Sequence, residues 1–160
     1  MGLFDSIVKL AKSVTDSVAD ATSEVTSNTQ SYQEETRQLD MQAEADGRPF
    51  DEKFKEIVAS MPGCSVEYEV SPDFLELQAG RQIYARGGNR CPADNFTYVL
   101  SYNGKQVYIR LWKAYSKYDH AANRAVGAYC MQMGMKVLDF FDYMPNGVNY
   151  MRDRIMQAFV

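Results

Sequence analysis

DNFTYVLSYNGKQVYIRLW, residues 94–112, decides the fold class of this 160-residue chain. Asn103-Gly104 lies between two runs rich in β-branched and aromatic residues, which favours a two-residue type I′ hairpin turn. Such a turn sets the cross-strand pairs, which are Tyr102–Lys105, Leu100–Val107, Tyr98–Ile109 and Phe96–Leu111. Because side chains alternate along a strand, we expect the last three pairs to form one apolar face.

The segments around the hairpin are predicted from apolar periodicity, capping residues and Gly or Pro breaks. Pro49 followed by an acidic first turn indicates a helix start, and the alternation in CSVEYEV indicates a strand. The predicted elements are a helix at 49–63, a strand at 64–70, a loop at 81–94, the hairpin, a helix at 119–134, a strand at 135–141 and a final helix capped by Asn146. We therefore predict an α+β domain over residues 50–160 with its elements in the order α-β-β-β-α-β-α.

The N-terminal stretch GLFDSIVKLAKSVTDSVADATSEV carries apolar residues at helical spacing. Their separations repeat every 11 residues, which keeps one apolar stripe aligned along a nearly straight helix. The N-terminal stripe consists of Leu3, Ile7, Leu10, Val14, Val18, Ala21 and Val25, and Phe4 widens its start. We expect residues 1–28 to form a long amphipathic docking helix. Residues 29–49 are polar and are predicted to form a solvated helix or a linker.

Several surfaces are open to this stripe. It is predicted to pack on another helix, in its own domain or in a second copy, or to lie on a membrane surface. A tail without fixed structure or a targeting segment is a further alternative. GLFDSIVKLAKSV resembles amphipathic peptides of the aurein and citropin type, and the 11-residue repeat resembles synuclein-like lipid-binding helices. That resemblance implies binding to a membrane. The segment has only two basic residues, Lys9 and Lys12, against four acidic ones, so we expect its attraction to anionic lipid to be modest.

Charge is distributed unevenly along the chain. Residues 1–79 contain 16 Asp and Glu against 6 Lys and Arg, whereas residues 80–124 contain 8 Lys and Arg against 2 Asp. The net charge of the whole chain is −4. The middle segment is therefore the part predicted to attract a polyanion such as a nucleic acid.

The cysteines and the apolar runs bear on the compartment. Cys64, Cys91 and Cys130 are an odd number at wide spacings, which favours reduced thiols over a disulfide framework. No apolar run approaches the roughly 18 residues of a membrane span. Charged residues also interrupt the N-terminal apolar stretch, so it does not have the continuous apolar region of a secretory signal peptide. We predict a cytoplasmic protein, with a peripheral membrane location as an alternative. One histidine implies no zinc site, and no cofactor or small-molecule substrate is implied.

The order of elements over residues 50–160 resembles the core of the PD-(D/E)xK restriction-endonuclease-like superfamily. That resemblance implies a mixed sheet flanked by helices. In that superfamily an Asp opens the second core strand, and (D/E)-x-K on the third strand completes a metal site that activates water. The resemblance places Asp94 at the first position, and Arg110 and Trp112 where the acid and the lysine would be. A guanidinium beside a lone carboxylate repels Mg²⁺, so we predict a degenerate core without nuclease chemistry. Asp94 is otherwise expected to pair with Arg110 or to cap a turn.

The second hairpin strand and the residues after it interleave cations with aromatic rings. We define the hairpin outer face as Tyr108, Arg110, Trp112 and Lys113. Stacking platforms among cations suit a sequence-tolerant nucleic-acid binder, with contacts expected through residues 80–118. The alternatives are that this face lies beneath the second or the last helix of the domain, or that it contacts a protein partner.

These patterns predict a non-enzymatic interaction or assembly module. It is expected to dock through residues 1–28 to a membrane surface, a partner helix or copies of itself. The alternative is a metal-dependent nuclease with a rearranged site, or a non-catalytic nucleic-acid binder, of the restriction-endonuclease-like superfamily.

Overall fold

The computed structural model describes residues 32–41, 44–75, 85–86, 89–90, 93–113 and 121–160. The helices and strands are α1 (32–40), α2 (Phe50–Ala59), β1 (Ser65–Val70), β2 (Ala85–Arg86), β3 (Asn89–Arg90), β4 (Phe96–Tyr102), β5 (Lys105–Trp112), α3 (Ala121–Gln132), β6 (Lys136–Phe141) and α4 (Val148–Ala158). The predicted docking helix at 1–28 lies outside the described residues. Within the stretch predicted as polar helix or linker, residues 32–40 are helical.

Four strands form one mixed sheet in the order β1-β4-β5-β6. β1 pairs antiparallel with β4 and β4 with β5, whereas β5 and β6 run parallel. Helices cover both faces of this sheet, so the predicted α+β class with a mixed sheet between helices is confirmed. In the stretch predicted as a loop, β2 and β3 form a separate two-stranded antiparallel pair.

The hairpin turn forms as its sequence predicts. Asn103 and Gly104 have positive φ angles of 51° and 74°, the combination that a type I′ turn requires at both central positions. Three of the expected cross-strand pairs are confirmed, namely Tyr102–Lys105, Leu100–Val107 and Tyr98–Ile109.

Phe96 does not share the apolar face of Tyr98 and Leu100, which corrects the predicted pairing with Leu111. The N–H of Leu111 donates to the hydroxyl of Thr97 at 3.0 Å. A side-chain acceptor thus takes the place of the ladder bond, and regular pairing ends at Tyr98–Ile109. Phe96 lies instead in the core beneath α3, with its ring centroid 5.1 Å from that of Tyr108.

Two apolar clusters hold the layers together. The first lies between the sheet and the helices α2 and α4, and its fully buried members include Phe54, Ile57, Met151 and Ile155. The second lies between the other face of the sheet and α3, and contains Val99, Val126 and Cys130 among others. Each fully buried side chain of this size contributes on the order of 1.5–3 kcal/mol, so the helices are held chiefly by burial.

The start of α4 differs from the sequence prediction. Gly147 is the N-cap residue, and no side chain caps the helix. The Asn146 amide instead donates to the carbonyls of Phe141 (2.6 Å) and Met144 (3.1 Å), which closes the turn before the helix. The amide nitrogen of Asn146 therefore serves the turn, and no side chain accepts from the first N–H groups of α4, so the predicted cap is wrong.

We expect Gly147→Ala to lower the free energy of unfolding by about 1–3 kcal/mol, the usual cost of overpacking. A Cβ atom at this position would lie 2.6 Å from both the Cβ and the carbonyl oxygen of Glu44. Urea denaturation at pH 7 measures the change. Gly47→Ala is the matched control, since a Cβ there has no atom within 4 Å. Equal stability of the two variants would contradict this packing.

Candidate functional site

α1 is a polar helix that packs on the folded body through two buried polar side chains. Glu34 is 8% exposed and Gln38 is fully buried. Residues four positions apart lie on the same face of an α-helix, so both point toward the body. The Gln38 amide also donates to a carboxylate oxygen of Glu34 at 3.1 Å. α1 therefore has a defined inner face.

Glu34 is neutralised by α4. The Arg154 guanidinium and the Tyr150 hydroxyl both donate to the same oxygen of its carboxylate. Hydrogen bonds to an ionised group are stronger than neutral ones, and a buried carboxylate needs such partners to offset the loss of water. Burial raises the pKa of Tyr150, and the negative charge of Glu34 adds to that rise.

Side chains also bond the outer edge of β6, the last strand in the sheet order. The carbonyl of Asp139 accepts from Arg154 at 2.9 Å, and the N–H of Phe141 donates to Gln38 at 3.3 Å. The carbonyl of Phe141 accepts from the Asn146 amide. An open strand edge would be a template for pairing with another chain. Gln38 of α1, Asn146 in the turn before α4 and Arg154 of α4 satisfy these groups and protect the edge.

The other side of α1 carries exposed apolar side chains. Tyr32 and Leu39 are 72% and 51% exposed. They are seven residues apart and therefore lie on nearly the same line along the helix. Beside them, the exposed Tyr143 donates from its hydroxyl to Glu35 at 2.8 Å, and burial together with that carboxylate raises the pKa of Tyr143 to about 12. We call Tyr32 and Leu39 the outer face of α1.

Tyr108 and Arg110 of the hairpin outer face lie against α3, and Trp112 is buried beside them. Arg110 and Trp112 are 8% and 4% exposed. The Arg110 guanidinium donates to both carboxylate oxygens of Asp139, at 2.7 and 3.1 Å, and the Trp112 indole donates to one of them at 3.0 Å. α3 approaches closely here, since a Cβ on Gly127 would lie 3.3 Å from the guanidinium.

Burial beneath the second or the last helix of the domain is one of the predicted alternatives for the hairpin outer face. The structure agrees with this alternative for Arg110, which lies against α3, the second helix of the domain. Tyr108 is half-buried and Lys113 is exposed. Asp139, which binds both Arg110 and Trp112, was not singled out from the sequence. It faces Arg110 through the parallel register of β5 and β6, and sequence spacing carries no signal for that register. A role of the hairpin outer face in binding a nucleic acid or a protein partner stays a prediction.

Asp94 opens β4 but does not pair with Arg110. Its carboxylate accepts from the Asn123 amide at 2.9 Å, and its N–H donates to the oxygen of the same amide at 2.9 Å. This reciprocal pair ties the strand start to α3. In the described part of the chain, no three His, Cys, Asp or Glu side chains gather as a metal site would require.

A cleft of about 430 Å³ lies between α2, the residues before it and the loop that precedes α4, and Leu39 of α1 also lines it. Its floor includes Lys53, which is buried and donates to the carbonyls of Pro145 (3.2 Å) and Asn146 (2.7 Å). Burial lowers the pKa of Lys53. Arg48, also in the lining, bonds Asp46 and Glu56. These contacts connect the loop to α2, so we assign the cleft cations a structural role.

Comparison of the chain with protein-family models, with curated proteins and with solved structures finds no match. A helix with the length and apolar character needed to cross a membrane does not occur among the described residues.

We expect Asp139→Asn to cost about 3–5 kcal/mol of folding free energy, because it leaves the buried Arg110 guanidinium without a neutralising charge. Asp142→Asn is the matched control. It removes the same charge from an exposed side chain three residues away and should change stability by no more than about 0.5 kcal/mol. Chemical denaturation of both variants measures the difference. Similar losses would show that the Arg110–Asp139 pair is not what stabilises this face.

Tyr150→Phe tests the contact between Glu34 and α4. At pH 7 it should cost about 1–3 kcal/mol, since a buried carboxylate loses a donor. The folded pKa of Tyr150 is raised, so its stabilising contribution is complete below the unfolded value near pH 10 and decreases as the pH rises further.

The variant should therefore lose less stability than the wild type between about pH 10 and 11, by up to about 1.4 kcal/mol. Denaturation curves of the variant and the wild type at several pH values across that range measure this difference. Tyr32→Phe, at an exposed position, is the control at pH 7 and should stay within about 0.5 kcal/mol of the wild type. An equal loss of stability between about pH 10 and 11 in Tyr150→Phe and in the wild type would contradict the raised pKa of Tyr150.

Proposed function

We propose that this chain is a non-enzymatic interaction or assembly module that docks through residues 1–28. The surface that it engages is a membrane, a partner helix or copies of the same chain. The observation that carries the proposal is the attachment of α1. This helix follows the N-terminal stripe by a few residues, and the buried side chains of Glu34 and Gln38 tie it to α4 and β6.

A docking segment is useful to a folded domain when its position is defined. The contacts of Glu34 and Gln38 are hydrogen bonds with directional geometry, so they limit how α1 rotates about its own axis. The point at which the preceding segment joins α1 is therefore fixed relative to the body. A linker rich in glycine and serine would instead let the stripe sample many directions.

The nuclease alternative has less support from these contacts. Asp139 is occupied by Arg110 and Trp112, and Asp94 is bonded by Asn123. Both acids therefore hold layers of the fold together. A nuclease of this superfamily needs its acids directed at a shared metal.

The test of the proposed function compares the full chain with Val14→Asp/Val18→Asp, which places two charges in the N-terminal stripe. Light scattering measures self-association, vesicle flotation measures membrane binding, and a pull-down detects binding to a partner helix. We expect one of these interactions to weaken about tenfold or more, because each apolar side chain contributes more than about 1.4 kcal/mol when buried.

Ser13→Asp/Ser23→Asp is the matched control, since it adds the same charge to polar positions of the same segment. It should leave the interaction intact. If the stripe variant equals the wild type in all three readouts, residues 1–28 are not a docking surface and the proposal is wrong.

A further inference from the structure

The buried side chains of α1 are polar. Over the described residues 32–41 they are Glu34 and Gln38, and no apolar side chain of this stretch is buried. Leu39 lines the cleft and is 51% exposed, and Met41 is half-buried against the first apolar cluster. The helices α2 and α4 differ from α1, because each of them buries two apolar side chains completely.

This difference decides how strongly each helix is held. A fully buried apolar side chain shifts the balance between the attached and the detached helix about tenfold or more toward attachment. α2 and α4 gain this contribution more than once, whereas α1 does not gain it over its described length. The attachment of α1 therefore depends on its hydrogen bonds and its ion pair.

The contacts of Glu34 fix the position of α1 but add little net stability. Arg154 and Tyr150 donate to its carboxylate. When α1 detaches, the carboxylate and the guanidinium regain water, and this gain largely offsets the attraction that is lost. The bond from the Tyr143 hydroxyl to Glu35 lies at an exposed position, where water is an equivalent partner.

The contacts of Glu34 and Gln38 are broken by the same movement. The amide nitrogen of Gln38 donates to Glu34 at 3.1 Å, and its oxygen accepts from the N–H of Phe141 at 3.3 Å. The two side chains are four residues apart on one helix, so a displacement of the helix removes both from the body. Detachment therefore uncovers the N–H of Phe141 at the outer edge of β6.

We propose that α1 is a detachable strap over the outer edge of β6, which opens while the body, meaning the sheet and the helices α2 to α4, stays folded. In the closed state Glu34 and Gln38 hold the strap to α4 and β6. In the open state the N–H of Phe141 faces water. The carbonyl of the same residue stays bonded, because Asn146 belongs to the body.

The strap gives the docked chain two arrangements. This consequence rests on the proposed function, whereas the opening of α1 does not. With the strap closed, the body has a fixed position relative to the point where the docking segment joins α1. With the strap open, residues 32–49 become a tether that reaches up to about 60 Å. The same chain thus holds its body in place or releases it on a tether.

Native-state hydrogen exchange of the full chain, measured for each amide by NMR, tests the inference. The amides of α1 and the amide of Phe141 should share one protection factor, because one opening exposes them all. That factor should be lower than the protection factor of Phe140 by about tenfold or more. Phe140 is the matched control within β6. The N–H groups of successive strand residues point in opposite directions, so its own faces β5.

Glu34→Gln should lower the protection of α1 and of Phe141 by about tenfold or more, because Arg154 loses its neutralising charge in the closed state and is hydrated in the open one. The protection of Phe140 should fall by less. Asp40→Asn is the matched control, since it removes the same charge from an exposed position of the same helix. It should change the protection of α1 by no more than about twofold.

Three results would overturn the inference. A single protection factor for α1, Phe141 and Phe140 would show that α1 opens only when the whole body unfolds. Unprotected amides throughout α1 would show that the closed strap is not populated. An equal loss of protection at Phe140 and in α1 on Glu34→Gln would show that the contact stabilises the whole body.

The opening of α1 and the proposed function fail separately. If Val14→Asp/Val18→Asp leaves self-association, flotation and pull-down unchanged, residues 1–28 are not a docking surface and the two docked arrangements do not arise. The difference in exchange between Phe141 and Phe140 would still establish the strap. If that difference is absent while the stripe variant loses its interaction, the docking function stands and the strap is wrong.

Discussion

Arg110 and Asp139 face each other across β5 and β6, the two strands that run parallel in the described sheet. A buried guanidinium requires a carboxylate, and this register supplies one that also accepts from the Trp112 indole. β6 is the last strand of the sheet. Its outer edge then needs hydrogen-bond partners, and α1 and α4 provide them.

The direction of α1 follows from that edge. Gln38 reaches the backbone of Phe141, and Arg154 bonds both Glu34 and the carbonyl of Asp139. Apolar packing alone would tolerate several rotations of a helix, whereas these bonds require one, because hydrogen bonds depend on angle as well as distance. The rotation leaves Tyr32 exposed on the far side.

Local chemistry made much of the fold predictable. The Asn103-Gly104 turn, the α+β class and the buried faces of α2 and α4 follow from turn residues and apolar periodicity. The errors lie where side chains act at a distance. The N–H of Leu111 bonds to Thr97 and not to a ladder partner, Phe96 lies on the other face, and Asn146 closes a turn and does not cap a helix. No local propensity encodes such substitutions.

The candidate site divides in the same way. The sequence by itself determined that residues 1–28 carry an apolar stripe, because periodicity is a property of consecutive residues. The tertiary structure decided which way the adjoining helix faces, since Glu34 and Gln38 are buried by residues more than 100 positions away. It also decided that Arg110 lies against α3 with Trp112 buried beside it, because the register of parallel strands depends on packing between distant segments.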